Sequence, residues 1–244
     1  LTAPTAPTAP TAPTAPTVPT VPTGPQGPPL AARLHALLAR GGAVADLRRY
    51  YGIGLPPGAA PYTGGRFERL AGGGERPGSA DRFTADDLIA VQTLSVTVPA
   101  RVALDLLEGP LGEDLHALLR AVPVGLDLAD ADPGHVADDS PAARAWHLLV
   151  SRPGVGWVLA GKLLARKRPR LLPVYDRVVR CALGRPDRFW SPLHAALRAD
   201  GGALAHRLAE LHAAADLPAA VSALRVCDVV VWTGHRADGH PCPS

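Results

Sequence analysis

From residue 30 onward, apolar residues recur at helical spacing through most of the chain. Leu30, Leu34, Leu37 and Leu38 mark one face of a helix over 30–40, which Gly41-Gly42 ends. A second short helix follows over about 43–51. Thr84, with Asp87 three residues on, resembles a capping box and opens a helix to about residue 94. Pro99 at a first helical turn starts a helix over 100–107, Gly109-Pro110 stops it, and 111–121 is another. Ser140-Pro141 pairs an N-cap with proline at the first helical position, and opens a helix carrying Trp146, Leu149 and Val150. Three later helices are expected near 191–199, 202–214 and 218–231. Residues 95–98 are β-prone but too short to suggest a sheet. The pattern predicts an all-α domain over 30–236.

Three stretches break the pattern. Residues 1–29 repeat Thr-Ala-Pro and Thr-Val-Pro triplets, with ten prolines and no charged side chain. Proline at every third position suits a solvated polyproline II rod and builds no core, so a disordered tail is expected. The tract lacks the flanking arginine that orients PxxP ligands, so it is not read as a protein ligand. Residues 52–82 are rich in glycine and proline yet hold Tyr62, Arg66 and Phe67, costly residues for a linker in a chain with eleven aromatics. A loop of that length is expected to be functional or mobile. Residues 123–139 form an acidic loop whose spacing is not that of a calcium site. Residues 237–244 are expected to be a second disordered tail.

Composition adds less than charge. Hydrophobic residues are 47% and charged residues 19% of 244, enough apolar surface for a core and too little charge for global disorder. The three cysteines, Cys181, Cys227 and Cys242, are too widely spaced for a disulfide framework or a zinc pattern, and Cys181 and Cys227 read as small core residues. Neither a metal nor a cofactor is expected. No membrane span or secretory signal is apparent, so a cytoplasmic location is expected. The net charge of +3 conceals an asymmetry. Residues 151–190 hold ten basic side chains against two acids, a local +8, so the rest of the chain carries −5. Such a window points to a polyanionic partner.

Within that window, Arg152-Pro153-Gly154-Val155-Gly156-Trp157 reads as a tight turn between two helices. The glycines allow close backbone approach, and the unpaired amides opening the second helix suit a phosphate. Val155 is expected to pin the turn to the core. Lys162 and Arg166, at i and i+4, are expected beside the same anion. The segment resembles the helix-hairpin-helix motif. Downstream, Pro173-Val174-Tyr175-Asp176 followed by Arg177, Arg180 and Leu183-Gly184 is similar to the Pro-Val-Asp stretch of the helix-hairpin-helix base-excision DNA glycosylases, with one extra residue before the Asp. The resemblance spans residues 140–184. It implies that Asp176 is the catalytic carboxylate. It also implies that duplex DNA rests on Gly154, Val155, Gly156, Lys162, Arg166 and Arg180. Lyase members of that superfamily place a Schiff-base lysine where this chain has Val158, and Lys162, a turn later, is expected to face differently. The implied enzyme is therefore monofunctional.

The resulting expectation is a DNA-binding protein of glycosylase-like architecture. Alternatives are a non-catalytic binding protein on the same fold, or an enzyme on a small phosphorylated substrate with 52–82 as its lid. Tyr62, Arg66, Trp157 and Tyr175 are the candidate substrate contacts. Trp190 and Trp232 are expected to be core anchors. A carboxylate in a pocket would favour an enzyme; a surface Asp176 paired with Arg180 would favour a binding module.

Overall fold

The computed structural model describes residues 29–56, 58–186, 188–239 and 242. The Thr-Ala-Pro tract over 1–28 lies outside the described residues, as does most of the C-terminal stretch beyond 239. Among the described residues the chain is all-helical, with eleven α-helices, four 3-10 turns and no strand. The helices are α1 (Leu30–Leu38), α2 (Ala43–Tyr51), α3 (Ala85–Gln92), α4 (Ala100–Glu108), α5 (Pro110–Leu119), α6 (Pro141–Val150), α7 (Trp157–Lys167), α8 (Arg177–Ala182), α9 (Trp190–Arg198), α10 (Ala203–Ala214) and α11 (Ala223–Ala237).

Local chemistry sets these boundaries. The Ser140 hydroxyl accepts from the Ala143 amide at 3.1 Å, with Pro141 at the first position of α6. The Thr84 amide donates to Asp87 at 3.0 Å, completing the capping box of α3. The last helix starts later than its apolar run suggested. Ser222 caps it by accepting from Arg225, and Pro218 belongs to the preceding turn.

Two groups of helices share one apolar core. Helices α3 to α7 pack in sequence order, α4 on α5, α5 on α6, α6 on α7, and α7 back on α3. The other group wraps α11 with α1, α2, α8 and α10, while α9 joins α1 and α10. The N-terminal helices thus close on the C-terminal ones. In each group the central helix, α7 or α11, is buried along most of its length, including Lys162, Arg166 and Lys167 of α7 and Arg225 and Asp228 of α11.

That burial takes Arg166, Lys167 and Arg168 of the basic window away from the surface. Arg166 is 1% exposed, and Lys167 and Arg168 are fully covered. Arg166 donates to Asp87 (2.9 Å) and to the carbonyls of Phe67 (2.5 Å), Glu68 (3.1 Å) and Leu70 (2.7 Å). Lys167 reaches Asp87 (2.9 Å) and the Ser79 carbonyl (2.7 Å). Arg168 reaches Asp81 (2.5 Å) and the carbonyls of Ala80 (2.8 Å), Leu119 (2.7 Å) and Val122 (2.9 Å). Three consecutive cations therefore hold the 67–81 segment to α7 by donating to carbonyls along a stretch that has no α-helix or sheet. A Cβ at Gly74 would lie 1.9 Å from the Arg166 carbonyl oxygen, so the chain passes that close to α7 only as glycine. The second half of the 52–82 loop is thus pinned rather than free to act as a lid.

Candidate active site

A cavity of about 570 Å³ opens where the two helical groups meet. Its walls are the loop at 61–64, the turn at 93–96, Val158 and Lys162 of α7, Asp176 and its neighbours, and Arg225, Asp228, Trp232 and Arg236 of α11. Asp176 is the N-cap of α8. Its Oδ1 accepts from the Val178 and Val179 amides, both at 3.0 Å. This fixes the carboxylate and leaves Oδ2 for the cavity, 3.8 Å from Lys162 Nζ. Lys162 also donates to the Leu94 carbonyl at 2.9 Å. Its burial pushes the ammonium below its ordinary range, and Asp176 pulls it partly back. Asp176 therefore stands in a pocket, and its ion partner is Lys162.

One wall is aromatic. The Tyr50 and Tyr62 rings stack with centroids 5.2 Å apart, and Trp232 meets both edge-on. The Arg236 guanidinium lies 4.8 Å above the Trp232 ring. Beneath this wall, buried Arg225 pairs with Glu68 and Asp228 and donates to the Tyr50 hydroxyl at 3.1 Å. The sequence had singled out Tyr62, Lys162 and Asp176 for function. It missed Tyr50, Arg225 and Arg236, and placed Trp232 in the core. The signal that was present is Asp228, an acid interrupting the apolar run of α11; such an interruption on a buried helix calls for a charged partner.

A second cavity, of about 550 Å³, lies on the other flank of α7. Trp146, Trp157, Tyr175, Phe189 and Trp190 line it together with Arg180 and Arg188. Tyr175 stacks on Phe189 at 4.1 Å, and Trp157 sits 5.6 Å from Tyr175 with the Arg180 guanidinium 5.8 Å above its ring. The half-buried Trp190 packs against the core and also forms a wall of this cavity.

The two cavities share their dividing elements. Along α7, Trp157 and Gly161 face the aromatic cavity, while Val158 and Lys162 face the Asp176 cavity. Along the extended segment before α8, Pro173 and Tyr175 face the aromatic cavity, and Val174 and Asp176 the cavity that holds Lys162. Helical and extended periodicities sort the side chains to opposite flanks. Lys162 consequently points where Val158 points, contrary to the expectation that a turn's displacement would face it elsewhere.

The Gly154–Gly156 turn joins α6 to α7 at the surface. Gly154 has φ +82°, and a Cβ there would come 2.9 Å from Pro99 Cγ. Val155, 4% exposed, anchors the turn, and Gly156 is the exposed N-cap of α7 with no side chain capping it. The six proposed DNA contacts therefore separate. The turn is exposed, and Arg180 lines the aromatic cavity. Lys162, 4% exposed, floors the Asp176 cavity, and Arg166 is sealed in the interior, out of reach of a surface phosphate. Of the substrate candidates, Tyr62 shares the cavity of Asp176, Trp157 and Tyr175 line the other, and exposed Arg66 lines neither.

Among the described residues no helix is long and apolar enough to cross a membrane. The chain belongs to a family of unknown function, DUF6308, whose model matches residues 43–235. No curated protein and no solved structure matches it significantly.

Proposed function

We propose, from the cavity itself since family membership brings no activity with it, that the protein is a monofunctional N-glycoside hydrolase acting on a nucleotide drawn out of DNA. The observation that carries this reading is the placement of Asp176. One carboxylate oxygen is held by two amides, and the other is left to a cavity of ligand size beside a buried lysine. A carboxylate held in this way stabilises positive charge developing on a sugar and orients water. In the proposed step, water adds to C1′ as the C1′–N bond breaks. The bond's electron pair leaves on the base nitrogen, and the proton released by water ends on the departing base. The stacked Tyr50 and Tyr62 with Trp232 offer a planar ring a surface on which to stack. The duplex backbone would rest on the exposed Gly154–Gly156 turn, and the second, aromatic cavity would take a neighbouring base. Lys162 stays a counter-charge to Asp176 here, not a nucleophile.

A second reading is an enzyme on a small phosphorylated substrate. The cations Arg177 and Arg236 on the same cavity, with 61–64 as one wall, favour it.

The test is release of free base from a panel of duplexes carrying damaged bases, with nucleoside phosphates run in parallel. Wild type should release base from at least one duplex, and Asp176→Asn should abolish release. Asparagine is itself a good N-cap, so α8 and the helical circular dichroism should be preserved, while loss of the counter-charge to buried Lys162 lowers the melting temperature. Turnover of phosphates alone would transfer the site to the second reading. Turnover of neither by wild type would end the enzyme reading.

A further inference from the structure

Beyond the residues that line either cavity, three metal-ligating side chains from separate parts of the chain come together. Cys181 lies in the last turn of α8, His235 in the last turn of α11, and Cys242 in the segment that follows. Their ligand atoms all lie within 4.8 Å of one another. His235 Nε2 is 3.2 Å from Cys242 Sγ, and the two thiols are within hydrogen-bonding reach of each other. All three residues are half-buried, which leaves the cluster open to an ion.

The convergence is specific. The chain has only three cysteines, and two of them meet here, 61 positions apart in sequence. The third, Cys227, is enclosed in the core, and burial pushes its thiol up to about 12. Ligands around a tetrahedral zinc, with Zn–S of about 2.3 Å and Zn–N of about 2.0 Å, sit roughly 3.5–4 Å apart. With ligand atoms within 4.8 Å of one another, small side-chain rotations would bring the cluster to that spacing. Two thiolates with an imidazole form a soft, mixed donor set that suits zinc rather than magnesium or calcium.

We propose that Cys181, His235 and Cys242 bind one zinc ion. Three protein donors leave a fourth position for water or a further ligand. Closing the site ties the segment after α11 to the end of α8. Because α8 is a short helix capped by Asp176 at its other end, the metal also steadies the carboxylate of the neighbouring cavity. The site does not depend on what that cavity does.

The experiment uses the full chain, reduced and stripped with a chelator, and titrated with Co²⁺ and then Zn²⁺. Expected is a visible cobalt–thiolate spectrum that saturates at one equivalent, is bleached by Zn²⁺, and is accompanied by a rise in melting temperature. Cys181→Ser and Cys242→Ser should each lose the spectrum and the rise while keeping the helical circular dichroism of the apo chain. Cys227→Ala should retain both. Stoichiometric binding that survives in Cys181→Ser overturns the proposal. So does the absence of any stoichiometric binding by the reduced wild type, including the case where the unreduced protein proves to hold a Cys181–Cys242 disulfide.

Discussion

Asp87 serves several partners at once. It completes the cap of α3 and accepts from Arg166 and Lys167, while being 1% exposed itself. Asp87→Asn keeps the size of the side chain but leaves two buried cations facing a neutral amide. Removing one member of a buried ion pair typically costs about 3–5 kcal/mol. We expect a loss of that order in urea denaturation, with helix content at zero denaturant retained if the domain still folds. The sequence showed the cap through the Thr84–Asp87 spacing. It could not show the second task, because nothing local tells a capping carboxylate that two cations 79 and 80 residues later will be buried against it.

At the scale of the element, α7 is where sequence reasoning succeeded and failed together. Its start after Gly156 was legible from Pro153, the paired glycines and the apolar run that follows. Its charged residues misled, because a lysine or arginine on a helix is normally a solvated position and here Lys162, Arg166 and Lys167 all point inward. Burial has a measurable signature. Burial depresses both lysines below their ordinary 10.5, with Asp176 opposing it at Lys162 and Asp87 at Lys167. Between the depressed value and 10.5 the unfolded chain holds protons that the folded chain has released. Stability from these groups therefore rises with pH across that interval, and the penalty for a buried ammonium is fully present below it. In paired denaturation curves, the wild type should improve relative to Lys162→Met as pH rises toward 10.5. An unchanged difference would mean that Lys162 titrates as it does in the unfolded chain. Most helices outside α7 were legible for the ordinary reason that their apolar faces and caps agreed; α8 was too short to show a periodicity, and α11 begins later than its apolar run suggested.

For the whole molecule, the uneven charge distribution takes on a different meaning. The basic window is matched largely within the chain. Asp81, Asp87, Asp127 and Asp138, all from the acidic remainder, pair with Arg168, with Arg166 and Lys167, with Arg170 and with Arg188. Much of the +8 therefore serves cohesion. This changes what a nucleic-acid titration should show. If DNA binds at the Gly154–Gly156 turn, its salt dependence rests on residues near the surface such as Arg152 and Arg177. Each phosphate contact removed should lower the slope of log K against log salt by about 0.9. Arg152→Ala with Arg177→Ala should flatten the slope by about two such steps, and Arg166→Ala should leave it unchanged while lowering stability. A slope that responds to Arg166 and not to the surface pair would contradict the observed burial. The all-α fold was legible from periodicity. The site was legible only at Tyr62, Lys162 and Asp176, since its walls come from segments separated by up to 186 positions, from Tyr50 to Arg236.

Residues 173–176 run between the two cavities. Their side chains alternate between two chambers, so the segment works as a partition whose register matters as much as its composition. A single inserted or deleted residue would leave Tyr175 and Asp176 chemically intact yet exchange the rooms they face. The carboxylate would then look onto the tryptophans and the phenol onto Lys162. Spacing is thus itself a functional attribute here, and a drift in length would silence the site without replacing any of its groups.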